Sequence, residues 1–295
     1  METSKGQVER AQPSQTAMTA AAARAAHLIV DNEPVIFADT LAGPLLGDRA
    51  DELLDYHRLN GSHLVLASAR GQVVCRSRYA EDALAVAAAE RGIAQYVVLG
   101  AGLDSFAYRS TLAGGVATFE VDHPATQEWK RGQLAAAGIR VPDTVAFVPL
   151  DFERHGAGSL TDGLVAGGFD RDRPAMISWL GVSMYLTSEA IEAVAGVIGS
   201  GFEPGTELIM DYMLPAGLRD ATADSYVEQV APFAAGRGEP WLTFLAPAEV
   251  AAMLAKHGFS GVRDVGQEDI GGPELWHRTD ALTRIELSRL VHAVV

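Results

Sequence analysis

The chain has 295 residues, of which 48% are hydrophobic and 21% charged, a balance that supports a full-sized core and excludes a disordered protein. Its formal net charge of −15 repels phosphate backbones and anionic lipid surfaces, so nucleic acid and membrane are poor partners. The single cysteine, Cys75, excludes an internal disulfide and a cysteine-rich metal site. We predict a cytoplasmic protein, because charged residues near the amino terminus stand where an export signal would be apolar.

The amino-terminal third of the chain has a helical pattern. Residues 1–16 are polar without an apolar period and are predicted to be a flexible leader. From Ala17 an Ala-rich segment, AMTAAAARAAHLIV, favours a helix, and further helices follow. Three glycines are predicted to break them: Gly61, Gly71 and Gly92. We therefore expect residues 17–92 to form a helical cap region on a core that spans residues 93–295.

After Gly92 short apolar runs alternate with helical segments. Continuous apolar runs are typical of strands buried on both faces of a parallel sheet, so the pattern predicts a doubly wound α/β fold. Residues 214–245 interrupt the alternation and are predicted to form a lid insertion over the sheet edge. The predicted strands are Gln95–Leu99, Val116–Val121, Val145–Leu150, Ala175–Leu180, Thr206–Tyr212, Gly261–Val265 and Leu287–Val295. The predicted helices between them are Ala125–Ala137, Gly158–Val165, Ser188–Ile198 and Pro247–His257.

The densest functional pattern is the segment YVVLGAGLDSFAYRS. Its first apolar strand leads directly into Gly100, Ala101 and Gly102, so the backbone turns without side-chain obstruction at the edge where open α/β sheets bind ligands. A dinucleotide fingerprint would need a third glycine where this chain has Ser105. The missing glycine weakens a nicotinamide or flavin interpretation, and a tight turn with no ligand explains the glycines about equally well.

Carboxylates follow the next two strands at the point where each strand ends. Asp122 is placed to accept both hydroxyls of a ribose, although a helix cap is the commoner role for such a residue, and His123 and Pro124 open the next helix. Asp151 is placed to accept from an adenine amino group, and the backbone N–H of Phe152 to donate to a ring nitrogen. Three successive strand ends with these groups predict an adenosine site.

Several long strings in register resemble one known family. VVLGAGLDSFAYR, FEVDHPATQEWKR, VPLDF and SWLGVSMYLT, with RSRYAEDAL and TAMTAAAARA upstream, are similar to the leucine carboxyl methyltransferase-like proteins. The resemblance is strongest to an actinobacterial branch of S-adenosylmethionine-dependent methyltransferases that includes polyketide carboxyl O-methyltransferases of secondary metabolism. It implies the class I methyltransferase fold, with seven strands of which the last is antiparallel, and S-adenosyl-L-methionine as the cofactor.

The resemblance also assigns roles to particular residues. It implies that the turn from Gly100 to Gly102, through Ala101, passes under the methionine part of the cofactor, that Asp122 holds the ribose, and that Asp151 and Phe152 face the adenine. An arginine before the first strand is implied to grip the methionine carboxylate; Arg76 fits the spacing, and Arg78 is the rival. Many relatives carry an acidic residue where this chain has Leu180, which puts one polar contact to the cofactor in doubt.

The reaction we expect is O-methylation of a small molecule. No histidine or acidic cluster has the pattern of a base or a magnesium site, and an ionised carboxylic acid needs no base, so a carboxylate acceptor is slightly favoured over a phenol. Tyr185, Asp211 and Tyr212 are weak catalytic candidates near the methyl group, whereas His123 is expected on the adenine side. Four aromatic residues are predicted to wall the acceptor pocket, although core packing explains them equally well: Tyr226, Phe233, Trp241 and Phe244.

Two other functions remain open from the sequence. An NAD(P)-dependent oxidoreductase would use the same sheet, glycine turn and Asp122. A methyltransferase homologue that binds the cofactor without catalysis is the second, and the Leu180 departure is compatible with it. A homodimer is an acceptable assembly for any of the three.

Overall fold

The fold is built on a single seven-stranded sheet. A computed structural model describes residues 14–151 and 156–295. The strand order is β3-β2-β1-β4-β5-β7-β6. The strands are β1 (Gln95–Leu99), β2 (Ala117–Asp122), β3 (Val145–Pro149), β4 (Met176–Trp179), β5 (Glu207–Met213), β6 (Ser260–Val265) and β7 (Ser288–Val294).

All pairings in the first five strands of that order are parallel, and β7 runs antiparallel to both β5 and β6. Every residue of β1, β4 and β5 is buried, which accounts for their continuous apolar sequence. The predicted doubly wound α/β fold is confirmed, and so is the single antiparallel strand that the family resemblance implies. Because β1 lies between β2 and β4, the chain reverses its direction of winding there, where such sheets bind ligands.

The described part of the chain contains ten α-helices. They are α1 (Gln15–Val30), α2 (Ala42–Leu45), α3 (Ala50–Asn60), α4 (Leu64–Arg91), α5 (Phe106–Arg109), α6 (Pro124–Ala136), α7 (Ser159–Ala166), α8 (Ser188–Gly201), α9 (Ala221–Gly236) and α10 (Pro247–Lys256). Short 3-10 helices lie at Gly47–Arg49, Ser183–Tyr185, Gln267–Asp269 and Pro273–Trp276. No helix among residues 14–151 and 156–295 is long and apolar enough to cross a membrane.

Two hydrophobic clusters cover the two faces of the sheet. On one face α7, α8 and α10 pack against residues such as Leu99, Trp179 and Tyr212. On the other face α4 and α5 pack against Val98, Ile209 and their neighbours. A third cluster joins α1, α2 and α3 to Leu103, beside the glycine turn, and to α6. The amino-terminal helices are thereby held next to the carboxyl edge of the sheet.

The prediction of a helix break at Gly71 is wrong. Gly71 lies inside α4, which runs unbroken from Leu64 to Arg91. It is buried, and a Cβ built at this position would lie 3.7 Å from the carbonyl oxygen of Thr283, so α4 and that segment pack closely. A glycine inside a helix costs only about 1 kcal/mol, which such packing offsets. Gly92 does end the helix, as predicted, and it has the left-handed conformation common for a glycine at a helix carboxyl end.

Candidate functional site

The turn after β1 is held against the neighbouring strand. The amides of Gly100 and Ala101 both donate to the carbonyl of Val121 in β2, at 2.8 and 3.1 Å. Gly100 has φ of +67° and Gly102 has φ of +47°, in the region that favours glycine. A Cβ on Gly100 would come closer than 3.0 Å to Val182 Cγ2, on the loop after β4. The turn therefore needs glycine for both conformation and space.

Asp122 closes this turn from the tip of β2. Its Oδ2 accepts from the Gly102 amide at 2.5 Å, and its Oδ1 accepts from its neighbour's amide at 2.6 Å. Burial raises the pKa of Asp122, and these two N–H groups oppose that effect. The side chain that caps α6 is His123, whose Nδ1 accepts from the Ala125 amide. Asp122 is therefore not the helix cap that its position alone suggests.

Asp151 stands beside Asp122 at the end of β3. The Leu150 amide donates to the Asp122 carbonyl at 2.9 Å, which aligns the two strand ends. His123 Nε2 is 3.7 Å from Asp151 Oδ2, and 56% of the His123 side chain is exposed. Phe152 lies outside the described residues. The structure thus brings the glycine turn, Asp122 and Asp151 together along one edge.

Arg76 reaches the same edge from α4. Its Nη1 donates to Asp211 Oδ2 at 2.8 Å, and Asp211 Oδ1 accepts from the Gly181 amide at 2.7 Å. Asp211 is buried, whereas 18% of the Arg76 side chain is exposed. A Cβ on Gly181, whose φ is +74°, would overlap the Arg76 guanidinium. Asp211 is therefore placed to hold Arg76, and Gly181 leaves it room.

Arg78 and Leu180, the two other residues that the sequence analysis considers for contacts to the cofactor, do not lie beside Asp211. Arg78, the rival arginine, donates from Nη1 to the Ile36 carbonyl and from Nε to Asp82. Leu180 is half-buried and packs against the apolar cluster on the α4 face of the sheet. Arg76 is accordingly the arginine that the structure places at the carboxyl edge, and its acidic partner comes from β5.

The structure separates the three weak catalytic candidates. Asp211 and Tyr212 are neighbours on β5 and so project from opposite faces of the sheet. The Tyr212 hydroxyl donates to Asp264 of β6, within the cluster opposite Arg76. Tyr185 lies in a 3-10 helix after β4, where burial raises its pKa and the nearby Trp241 and Arg76 oppose that effect. Of the three, Asp211 and Tyr185 lie near Arg76.

Three of the four predicted pocket aromatics meet in one cluster. Tyr226, Trp241 and Phe244 pack against Met184, Met213 and other buried apolar residues from α9 and the chain before β7. The rings of Tyr226 and Trp241 stack with centroids 6.3 Å apart and an interplanar angle of 5°. Phe233 is 61% exposed on α9 and contacts the Arg237 guanidinium, so it does not join them.

Sequence reasoning missed a contact between the amino-terminal helix and the insertion. The hydroxyls of Ser14 and Thr16, at the start of α1, donate to Glu239 Oε1 at 2.8 and 3.4 Å. Next to them, Ala17 stands against the glycine turn, 3.1 Å from where a Cβ on Gly102 would lie. No pattern in the sequence pairs residues this far apart. Both segments border the edge that carries Asp122 and Arg76.

Comparison with known sequences identifies the family. The profile of the family described as leucine carboxyl methyltransferase matches residues 17–199. The chain belongs to the leucine carboxyl methyltransferase family. The narrower assignment to a polyketide O-methyltransferase type stays a prediction.

Two relatives have names that point to one cofactor. YktD of Bacillus subtilis (strain 168) is 33% identical over 204 residues, 69% of this chain and 66% of that protein. A Mycolicibacterium paratuberculosis protein is 33% identical over 207 residues, 67% of this chain and 65% of its own. Both are named, provisionally, as S-adenosyl-L-methionine-dependent methyltransferases. The matched region spans slightly less than two thirds of each relative.

Solved structures share the fold at lower sequence identity. A Thermobifida fusca protein, titled provisionally as a methyltransferase, has a TM-score of 0.61 and 18% identity, and the match covers 97% of this chain and 96% of that one. A DUF574 family protein from Streptomyces avermitilis has a TM-score of 0.59 and 18% identity, with 92% and 96% covered. These similarities support the class I methyltransferase fold that the family resemblance implies.

Proposed function

We propose that this protein is an S-adenosyl-L-methionine-dependent methyltransferase whose cofactor lies along the carboxyl edge of β1, β2 and β3. The observation that carries the proposal is Asp122 at the tip of β2, where the Gly102 amide fixes its carboxylate beside the glycine turn, in a family whose relatives are named for this cofactor; we assign Asp122 to the ribose. A carboxylate has about four lone-pair positions, so Asp122 still has acceptor capacity for a ribose diol.

The other groups at this edge fit the remaining parts of the cofactor. Among the described residues Arg76 donates only from Nη1, to Asp211, so its other N–H groups suit a methionine carboxylate. The backbone of the glycine turn, which consists of Gly100, Ala101 and Gly102, can approach the ligand closely. Asp151 is assigned to the adenine amino group, and Phe152 keeps its proposed adenine contact. The bound cofactor supplies an electrophilic methyl group on a sulfonium.

We propose further that the reaction is O-methylation of a small molecule, with a carboxylate acceptor favoured over a phenol. The titratable groups near Arg76 include Tyr185, Tyr226 and Asp211. Burial raises the pKa of Tyr185, and raises that of Tyr226 to about 12, so both hydroxyls stay protonated at neutral pH and act as donors. Asp211 already accepts from Arg76 and Gly181. These groups suit an acceptor that arrives ionised rather than one that needs a base.

The organisation of the chain is part of the same proposal. The helical region 17–92 and the insertion 214–245 would enclose the acceptor, and the core 93–295 would bind the cofactor. The role of residues 1–16, a cytoplasmic location and a homodimer stay predictions.

Isothermal titration with S-adenosylhomocysteine and with NADH tests the cofactor. We expect micromolar binding of the first and none of the second, and the reverse result would favour the oxidoreductase. Asp122→Asn should weaken S-adenosylhomocysteine about 10- to 100-fold, because a hydrogen bond to a charged group contributes about 1.5–3 kcal/mol. Asp170→Asn, at the amino end of the sheet, is the matched control and should bind as wild type. Unchanged affinity in Asp122→Asn with a lower melting temperature would show that Asp122 only holds the turn.

Turnover separates an enzyme from a homologue that only binds. Transfer of a labelled methyl group to members of a panel of aromatic and aliphatic acids and phenols is expected, with acids preferred. Cofactor binding without transfer to any member would favour the non-catalytic alternative.

A further inference from the structure

Glu239 is a carboxylate of the insertion that has no positively charged partner among the described residues. The hydroxyls of Ser14 and Thr16 both donate to its Oε1, at 2.8 and 3.4 Å. Across residues 14–151 and 156–295, no group donates to its Oε2 and no basic side chain forms an ion pair with it. Because Glu239 is half-buried, water screens its charge only in part, and a cationic group of a ligand would stabilise it.

The start of α1 places Glu239 beside the glycine turn. Ser14 and Thr16, which hold its Oε1, are followed directly by Ala17. The Cβ of Ala17 lies 3.1 Å from where a Cβ on Gly102 would stand. Glu239 is therefore close to the carboxyl end of β1, at the edge where a sheet of this kind binds its ligand.

The loop after β4 places Glu239 near Arg76 as well. Trp241, which follows Glu239 in the insertion, is hydrogen-bonded to Tyr185. Burial raises the pKa of Tyr185, while Trp241 and Arg76 lower it. The negative charges of Glu239 and Asp211 add to the rise in the Tyr185 pKa, so both carboxylates lie in the same neighbourhood. Glu239 thus stands between the glycine turn and the arginine at the carboxyl edge.

The methionine part of the cofactor carries an ammonium on the same carbon as the carboxylate that is assigned to Arg76. An ammonium has a positive charge and three N–H donors, so it needs acceptor oxygens close to Arg76. Asp211 already uses both of its oxygens, since Oδ2 accepts from Arg76 and Oδ1 accepts from the Gly181 amide. Of these two carboxylates, only Glu239 has an oxygen without a donor among the described residues.

We propose that Glu239 Oε2 accepts a hydrogen bond from the methionine ammonium of the cofactor, and that the insertion thereby forms part of the cofactor site. This inference rests on the proposed function. The family profile matches residues 17–199 and so assigns no role to Glu239. Since the hydroxyls of Ser14 and Thr16 hold the other oxygen, bound cofactor would join the start of α1 to the insertion through one carboxylate.

The test compares S-adenosylhomocysteine with its desamino analogue, in which a hydrogen replaces the α-amino group, by isothermal titration at pH 7. The proteins are the wild type, Glu239→Gln and Glu228→Gln. Glutamine keeps an oxygen that accepts from Ser14 and Thr16, and it removes the negative charge. Glu228 is exposed on α9 of the same insertion and is the matched control. The melting temperature of each variant shows that it is folded.

The wild type should bind S-adenosylhomocysteine about tenfold or more tightly than the desamino analogue, because a charge-assisted hydrogen bond is about twice as strong as a neutral one. Glu239→Gln should weaken S-adenosylhomocysteine about tenfold and leave the desamino analogue unchanged, while Glu228→Gln should bind both as the wild type does.

Three results would overturn the assignment of Glu239. They are equal binding of the two ligands to the wild type, unchanged S-adenosylhomocysteine affinity in Glu239→Gln, and an equal loss of both ligands in that variant. The last result would show that Glu239 only connects α1 to the insertion. Failure of S-adenosylhomocysteine to bind the wild type would instead overturn the proposed function, and this inference with it.

Discussion

Replacing Gly100 by alanine puts a methyl group into space that Val182 already occupies. The new Cβ would come closer than 3.0 Å to Val182 Cγ2, and the residue would have to keep φ at +67°. Gly92, the residue after α4, has φ of +71° and no atom within 4 Å of a built Cβ. Gly92→Ala is therefore a matched control with the same backbone strain and no clash.

The structure gives an expected size for each effect. A left-handed conformation costs an alanine about 1–2 kcal/mol, of which about 0.4–1 kcal/mol is recovered because the unfolded chain is less flexible. Gly92→Ala should therefore lower the free energy of unfolding by about 1 kcal/mol. Gly100→Ala adds an overpacking cost of about 1–3 kcal/mol, because Val182 and the turn must move apart.

Urea unfolding of the wild type, Gly92→Ala, Gly100→Ala, Val182→Ala and Gly100→Ala/Val182→Ala measures these terms. Shortening Val182 removes the clashing methyl group, so the double variant should be more stable than the sum of its single effects by about 1–2 kcal/mol. If Gly100→Ala costs no more than Gly92→Ala, the approach of the β4 loop to the glycine turn is not as the structure shows.

Two further predictions concern buried charges. Burial and Arg70 lower the pKa of His57 to about 4, so neutral His57 contributes stability above pH 6.5 that is lost as the pH falls toward 4, up to about 3 kcal/mol. The free energy of unfolding is measured in urea at pH 7, 6 and 5. It should depend less on pH in His57→Gln than in the wild type, whereas His277→Gln, an exposed control, should behave as the wild type. The same pH dependence in His57→Gln and in the wild type would contradict the reasoning. Lys130 and Glu120 form a fully buried ion pair, with Lys130 Nζ 2.7 Å from Glu120 Oε2. Lys130→Met should therefore lower the free energy of unfolding by about 3–5 kcal/mol, and Glu120→Leu/Lys130→Met should lower it much less. Additive losses in the two single variants and the double variant would show that the pair is not coupled.

The centre of the sheet was predictable because β1, β4 and β5 are buried on both faces. Such strands have continuous apolar sequence, and β1 was predicted with its observed bounds at Gln95 and Leu99. The ends of the strands were equally informative, since parallel strands present their carboxyl ends on one edge, where Asp122 and Asp151 now lie side by side. The pattern of apolar residues therefore predicts the fold, and the common direction of the parallel strands predicts which edge of the sheet holds the candidate site.

Contacts between distant segments could not be predicted in this way. Ser105 replaces the third glycine of a dinucleotide fingerprint, and its hydroxyl donates to Asp39 Oδ1 at 2.5 Å. Asp39 is buried and is also paired with Arg24 of α1. Ser105 therefore connects the segment after the glycine turn to α1 through Asp39 and Arg24. The partners lie 66 residues apart, and no local pattern links them.

Asp211 shows why the role of a residue at a strand tip depends on its face. The sequence places Asp211 and Tyr212 equally near the methyl group, but only Asp211 projects toward α4, where Leu180 supplies no charge and Arg76 needs one. A buried carboxylate is stable only if its oxygens are paired, and Asp211 meets that need with Arg76 and the Gly181 amide. Removing Arg76 would therefore leave a buried charge unpaired as well as remove a cofactor contact. Stability and binding are coupled at Arg76. At Asp122 an asparagine keeps one acceptor oxygen for the two backbone N–H donors and turns an NH2 group toward the other, so a cofactor affinity measured for Asp122→Asn is interpreted together with its melting temperature.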